Sequence, residues 1–352
     1  MVNFIIKCYF RVFTMKVLER IFSIAFAAVA ILLAVTVFVT NAEARSIRKP
    51  ILNLVTTHKF QPGSEDHKVT EKVYSPPVVD LSSAQQFKRR PDDVEAFLPT
   101  DSQLRKILTS RSAIVMDADT GDVIYAHSPD KAAQPASTIK IVTGLIAIQS
   151  LDDEDRIVAS RRAAGMPRSK IYLRSGKSYM AGDMINAVLL SSANDASVAL
   201  AEKIAGSERV FAKLMTHKAM AWGAKNTTCK TASGLTARGQ KTTARDLAVL
   251  FNRAMDNEEF ASRVALTKVK TGYGKVLRNH NRALWQIDGA EGGKTGYTRA
   301  ARQTYVGKFK RGDDELTVAV MGSETMWDDV KHLVEYGFAK KRNLGITTAA
   351  VN

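Results

Sequence analysis

The β-rich runs of this chain come in two pairs set almost 180 residues apart, and that spacing restricts its fold more than any other feature. Residues 112–116 (SAIVM) and 123–126 (VIYA) are short, rich in strand formers, and split by the turn-forming Asp117-Ala118-Asp119-Thr120-Gly121-Asp122. The second pair, 302–309 and 316–321, flanks Lys310-Arg311-Gly312-Asp313-Asp314. Between them, residues 151–260 read mostly as helix, with helical periodicity over 181–190, 196–204 and 243–257 and breaks at Arg174-Ser175-Gly176 and Ala232-Ser233-Gly234. An amphipathic helix over 327–340, apolar at Val330, Leu333, Val334 and Phe338, closes the pattern. The expectation is an α+β domain: one antiparallel sheet flanked by helices, with an all-helical subdomain inserted between its hairpins.

A helix follows the first hairpin at once. Pro135-Ala136-Ser137-Thr138-Ile139-Lys140-Ile141-Val142-Thr143-Gly144 runs from a turn into an apolar helix extending to about residue 150. Ser137 and Lys140 stand three apart, so one helical face would carry both hydroxyl and amine. A buried lysine with a lowered pKa can take the serine proton and create a nucleophile without histidine. Spacing alone is weak support, because Ser46–Lys49 and Ser128–Lys131 share it. Both of those lie in polar or Pro-flanked sequence, whereas Ser137–Lys140 opens an apolar helix.

Composition narrows the surroundings. With 352 residues, 45% hydrophobic and 24% charged, the chain has material for a sizeable core. Its formal charge of +16 points to anionic neighbours such as membrane surface or wall polymer. No zinc-finger spacing or aromatic-basic interleaving supports nucleic-acid binding. Six scattered histidines without an i, i+4 pair, and two cysteines, Cys8 and Cys229, argue against a metal site. Residues 21–40 carry no charge and are long enough to span a bilayer. Lys16 and Arg20 precede them and Ala42-Glu43-Ala44 follows as a cleavage pattern, so residues 1–44 read as a signal peptide or, if uncleaved, an N-terminal membrane anchor. Met15 opens a more compact leader and is the expected start. Four basic and two acidic residues precede residue 45, which leaves +14 on the exported part. With the leader removed, Cys229 would stand alone, so no internal disulfide is expected. Residues 45–105 read as a linker or extended arm, 106–341 as the folded domain and 342–352 as a tail.

Two further motifs carry chemistry. Ser192-Ala193-Asn194 follows an apolar helix; its hydroxyl could pass a proton and its amide could hold a peptide, although Ser and Asn are also ordinary helix caps. Lys294-Thr295-Gly296 leaves a Gly-rich turn at 289–293 and enters a strand, offering a cation and a hydroxyl to a carboxylate while Gly lets a backbone approach. Lys270-Thr271-Gly272 repeats those letters, also before a Tyr, without an apolar strand behind it.

In the order SxxK, SxN, KTG, the three motifs resemble those of the penicillin-recognising serine enzymes. PASTIKIVTG, LLSSANDAS, the SGLT of 233–236 followed by TTARDLA, and DGAEGGKTGYT at 288–298 are most similar to the D-alanyl-D-alanine carboxypeptidase and endopeptidase family, the low-molecular-mass penicillin-binding proteins. The resemblance covers residues 108–340 and implies the penicillin-binding, β-lactamase-like transpeptidase fold. It implies that Ser137 attacks the D-Ala-D-Ala carbonyl, Lys140 is its base and Ser192 relays the proton. Asn194 would hold the peptide, Lys294 and Thr295 would bind the terminal carboxylate, and Gly296 would sit against the substrate backbone. The N–H groups of Ser137 and Tyr297 would form the oxyanion hole. Partners would be peptidoglycan stem peptides ending in D-Ala-D-Ala, with β-lactams as covalent inhibitors; no cofactor is called for, and the place of action would be the periplasm or the outer face of the cytoplasmic membrane. Two departures stand out: Ala193 where Gly is frequent, and Arg299-Ala300-Ala301-Arg302-Gln303 after the KTG.

Three rivals remain at the level of sequence. A class A β-lactamase would need a Glu-x-x-Leu-Asn stretch after SxN, which 195–270 lacks. A non-catalytic basic envelope-binding module would use the charge alone. Endopeptidase action on cross-links uses the same motifs; the roughly 55 residues after KTG leave little room for a further C-terminal domain, which leans toward the compact members.

Overall fold

The computed structural model describes residues 98–349, so the leader or anchor read over 1–44 and residues 45–97 of the arm read over 45–105 lie outside the described residues. In chain order the elements are α1 (Asp101–Ile107), β1 (Ser112–Asp117), β2 (Val123–His127), a 3-10 turn (Ala136–Ile139), α2 (Lys140–Ile148), β3 (Arg156–Val158), α3 (Arg161–Ala164), β4 (Ser178–Met180), α4 (Ala181–Leu189), α5 (Asn194–Ala205), α6 (Glu208–Ala221), α7 (Ala244–Met255), α8 (Glu258–Ala265), β5 (Lys268–Lys270), β6 (Val276–Arg278), α9 (Ala283–Gln286), β7 (Ala290–Thr298), β8 (Arg302–Arg311), β9 (Asp314–Ser323) and α10 (Met326–Ala349). None of the described helices is long and apolar enough to cross a membrane.

The two hairpins join into one antiparallel sheet in the order β2-β1-β9-β8-β7. The joint is the β1–β9 pairing, with Ser112 opposite Met321 and Asp117 opposite Leu316. Period-2 alternation assigns each strand residue to one of two cores. Ile114 and Met116 of β1, Val306 of β8 and Ala319 and Met321 of β9 face the helical insertion. Ala113 and Val115, Tyr305 and Phe309, and Leu316, Val318 and Val320 face α1 and α10, where Leu104, Val330, Leu333, Val334 and Phe338 cover them. A third cluster joins Val142 and Ile146 of α2 to Phe211 and Met215 of α6 and to Leu250 of α7. Helix α2 is therefore apolar on more than one side: Ile141 and Leu145 enter the sheet-facing core while Val142 and Ile146 enter the third. All nine of its residues are buried, Lys140 among them.

The α+β reading holds, and three boundaries differ from the sequence expectation. The helix predicted from Ser137 starts as a 3-10 turn and becomes α-helical only at Lys140. Residues 101–105, read as the end of an arm, form the first turns of α1. A capping box at Thr100 and Gln103 begins that helix, and Leu104 buries itself beneath the sheet. Residues 342–349, read as tail, continue α10. The Gly-rich stretch at 289–293 is mostly strand, not turn: a Cβ on Gly292 would meet Val264 at 2.6 Å and one on Gly293 would meet the Tyr305 hydroxyl at 2.6 Å. Gly292 lets β7 pack closely under α8, and Gly293 makes room for the Tyr305 side chain of β8.

One carboxylate ties the start of the domain to its end. Asp329, fully buried in the first turn of α10, accepts from the Thr109 N–H at 2.9 Å, the Thr109 hydroxyl at 3.0 Å and the Ser323 hydroxyl at 2.7 Å. Removing it takes the charged acceptor from the buried Ser323 hydroxyl and unties the Thr109 end of the domain. Asp329→Ala is expected to cost about 3 kcal/mol, read as a fall in Tm of roughly 6–12 °C by calorimetry.

Candidate active site

Ser137 sits within the 3-10 turn, and its position depends on strain just before it. Ala136 has φ 49, a left-handed conformation uncommon for a residue with a Cβ. Packing holds it there. The Pro135 carbonyl accepts from the Thr138 hydroxyl at 2.6 Å and from the Thr304 hydroxyl of β8 at 3.1 Å. Gly234, at φ +77, passes so near that a Cβ would lie 1.9 Å from the Ala136 carbonyl oxygen. On the sheet side, a Cβ on Gly296 would fall 2.7 Å from the Ser137 amide nitrogen. The Gly of KTG is thus required by strand β7 crossing directly over the serine turn.

Lys140 lies one turn on and is completely enclosed. Its Nζ is 2.9 Å from Ser137 Oγ, 2.8 Å from Asn194 Oδ1 and 2.6 Å from the Ser233 carbonyl. Asn194 Oδ1 must be an acceptor, since Nδ2 donates to the carbonyls of Pro167 at 3.1 Å and Arg168 at 2.9 Å. A neutral amine has two protons and one lone pair. Two of its three neighbours can only accept, so the lone pair of neutral Lys140 is left for the Ser137 hydroxyl proton. Burial pushes the Lys140 pKa well below the ordinary lysine range; the charge of Lys294 adds to the shift and buried Asp195 opposes it.

Ser192, at φ 56, sits at the other side of the cluster, and Lys294 Nζ donates to its hydroxyl at 3.0 Å. Lys294 is held at mid-strand in β7, opposite Val306, and burial lowers its pKa to about 7. Seen together, the three motifs do converge: Ser137, Ser192, Asn194, Thr295, Gly296 and Tyr297 all line one cleft of about 620 Å³.

The geometry qualifies several expectations. Asn194 is not a helix cap; α5 is capped by Ala193 without a side-chain bond, and the Asn194 amide is spent on Lys140 and two backbone carbonyls. Lys294 is only 2% exposed and stands behind Ser192, while Thr295 and Tyr297 reach the cleft surface. Arg302 pairs with Glu324 at 3.1 Å, and neither it nor Arg299 lines the cleft. The second KTG-Tyr, at 270–273, lies in the β5–β6 hairpin away from this cluster. Sequence reasoning passed over Arg168, His280, Arg282 and Trp327, which also line the cleft. His280 has its pKa lowered to about 4 by surrounding protein and by the charges of Lys294 and Lys140. The only available signal was the run Arg278-Asn279-His280-Asn281-Arg282, dense in polar groups between apolar stretches. Among the described lining residues there is no carboxylate.

A serine hydroxyl beside a buried lysine amine, on an antiparallel sheet with an inserted helical layer, is the arrangement of a class of serine hydrolase. Within that class the assignment is specific: residues 100–325 match the peptidase S11 family, D-alanyl-D-alanine carboxypeptidase, and the chain belongs to it. It is 37% identical over 237 residues to D-alanyl-D-alanine carboxypeptidase DacB2 of Mycobacterium tuberculosis, covering 64% of this chain and 81% of that protein. It is 32% identical to D-alanyl-D-alanine carboxypeptidase DacF of Bacillus subtilis, covering 66% of this chain and 62% of the relative. Among solved structures, it resembles a D-alanyl-D-alanine carboxypeptidase from Mycobacterium tuberculosis at TM-score 0.62 and 36% identity, over 66% of this chain and 91% of that one. The ampicillin-bound penicillin-binding protein D2 of Listeria monocytogenes matches at TM-score 0.61 and 27% identity, over 66% and 98%. The family thus supports a serine peptidase of cell-wall chemistry.

Two enclosed lysines with lowered pKa values bind fewer protons folded than unfolded, so stability rises with pH between the two values. For Lys294 the window runs from about 7 in the fold to the ordinary lysine value of 10.5. Lys294→Met is expected to flatten the rise in denaturant midpoint between pH 7 and 10 relative to wild type; equal slopes would contradict the burial argument.

Proposed function

We propose that the protein removes the terminal D-Ala from peptidoglycan stem peptides through an acyl-enzyme on Ser137, outside the cytoplasmic membrane. The observation that carries this is Lys140, fully buried and 2.9 Å from Ser137 Oγ with its other two contacts limited to acceptors. Neutral Lys140 takes the Ser137 proton as Oγ attacks the carbonyl carbon of the D-Ala-D-Ala bond. The N–H groups of Ser137 and Tyr297 then meet the oxyanion, where preorganised donors give the largest share of rate. Ser192 lies between the site and Lys294, so its hydroxyl can hand a proton to the departing D-Ala amine while Lys294 supplies one in turn. Water attacks the ester, and the same groups run in reverse.

The terminal carboxylate meets a cationic wall. Arg168 and Arg282 line the same cleft as Thr295, Lys294 contributes its charge from behind Ser192, and no carboxylate opposes them among the described lining residues. Asn194 acts chiefly by fixing Lys140 and the 167–168 carbonyls; a substrate amide would have to exchange with one of these. Without a cleft carboxylate to drive deacylation, a penicilloyl ester on Ser137 should persist, which separates this site from a class A β-lactamase. The leader over 1–44 supports export, with attachment to the membrane if it is not cleaved. Endopeptidase action on cross-links uses the same groups and is the competing reading of the leaving group.

Ser137→Ala should abolish covalent labelling by a fluorescent penicillin and reduce D-Ala release from purified stem pentapeptide by at least about 10³-fold. Wild type should release D-Ala from wall digests faster than it cleaves dimers and should turn penicillin over only slowly. A wild-type protein that takes no label would sink the acyl-enzyme reading.

A further inference from the structure

A second hollow, of about 520 Å³, opens on the helical subdomain, and the chemistry of the cleft does not use it. Three tyrosines border it. Tyr179 on β4 meets Tyr273 edge-on at 5.4 Å between ring centres, and Tyr172 stands 55% exposed. Tyr273 belongs to the second KTG-Tyr, the motif the active cleft leaves unused. Arg156, Arg174 and Lys177 line the same hollow, and among the described residues none of them forms an ion pair. Lys170 and Lys275 hold their ammonium groups 5.4 and 5.0 Å from the Tyr172 ring centre. Asp183 is the one carboxylate in the hollow, and the Gly272 N–H donates to it at 3.0 Å.

Tyr172 is held there against its own preference. Its φ is 62, left-handed for a bulky aromatic, and the two amides around it are clamped by one carboxylate. Fully buried Asp195 accepts from the Ile171 N–H and the Leu173 N–H, each at 3.0 Å, and Lys275 Nζ donates to the Ile171 carbonyl at 2.7 Å. Strain of this kind persists only where the surroundings over-determine it, and it clusters at active sites and ligand clamps. Flat aromatic surface stacks on the C–H faces of a sugar ring, and unpaired guanidinium and ammonium groups answer its carboxylates or phosphates. The same segment also walls the cleft: Arg168 and Ser169 line the cleft while Ile171 and Tyr172 line the hollow. Four residues of chain span at most about 14 Å, so the two sites share one strap.

We propose that this hollow is a second binding site, for an acidic saccharide whose rings stack on the tyrosines and whose anionic groups meet Arg156, Arg174 and Lys177. That the saccharide belongs to the wall polymer bearing the stem peptide rests on the reading of the cleft given above. The site would hold the glycan while a stem enters the cleft across the shared strap.

The test is calorimetric titration of the full-length protein with four probes: glycan strands stripped of peptide so that their lactyl carboxylates are free, a sugar-phosphate polymer, a neutral N-acetylglucosamine oligomer, and stem peptide alone. At least one acidic saccharide should bind, and which one identifies the source of the anion. The neutral oligomer should bind about tenfold more weakly or worse. Arg174→Gln, Lys177→Gln and Tyr273→Ala should each weaken the acidic saccharide by about fivefold or more and leave stem-peptide binding in place. Arg174 and Lys177 are exposed, so their variants keep the fold. Acidic-saccharide binding that the variants do not change, equal binding of the neutral oligomer, or loss of stem-peptide binding instead would overturn the proposal. Penicillin labelling of the same samples separates the two readings. Label without saccharide binding removes only this site, and saccharide binding without label removes only the reading of the cleft.

Discussion

The structure depends on keeping one ammonium group dry. Enclosing Lys140 is costly, because a charge taken from water into protein loses its solvation. The cost is offset by the Asn194 amide oxygen and the Ser233 carbonyl, and avoided when the group is neutral. Almost every element near the cleft bears on that arrangement. Helix α2 must be apolar around its circumference, so it needs a core on more than one side. The 232–234 segment must bring a carbonyl to the amine, which in turn requires Gly234 in a left-handed conformation against Ala136. Asn194 must be turned so that oxygen faces Lys140, and the Pro167 and Arg168 carbonyls fix that orientation.

The same logic assigns the second lysine a complementary place. Lys294 raises the electrostatic cost of a charge on Lys140 and lies within hydrogen-bond reach of Ser192. Two cations in one buried cluster repel, so at neutral pH the cluster favours carrying fewer protons than two free lysines would. That is the condition under which an amine can serve as a base.

Much of this was legible in the sequence, for identifiable reasons. The hairpins at 112–126 and 302–321 are short runs of strand formers with turn residues between, and each became a strand pair. The helices over 181–189 and 244–255 have clear apolar periodicity. The Ser137–Lys140 pair was separable from its decoys because only it opens an apolar helix, and only Lys294 precedes an apolar strand. What escaped was of four kinds. Backbone carbonyls, such as those of Ser233 and Arg168, leave no mark in a list of side chains. Glycines at 292–293 read locally as a turn, although tertiary packing against Val264 and Tyr305 requires them in a strand. The enclosure of Lys294 behind Ser192 depends on the register of β7 against β8, which residue types alone do not specify. Residues 101–105 escaped because a two-turn helix is too short to show a period, and only its buried Leu104 gives it away.

The order of strands has a consequence for assembly in time. Strand β1 finds its interior neighbour in β9, so the pairing closes a loop of about 200 residues and must await nearly the whole domain. Contacts of such separation form slowly, because loop entropy is lost before they reward it. Meanwhile β1 and β2 present an apolar hairpin with both edges unpaired, the kind of surface that draws unwanted partners. KTG strand β7 joins the sheet only through β8, which in turn pairs with β9. The cleft therefore acquires its last wall when the domain is nearly finished, and a domain cut short before β7 would carry Ser137 and Lys140 without the strand that covers them.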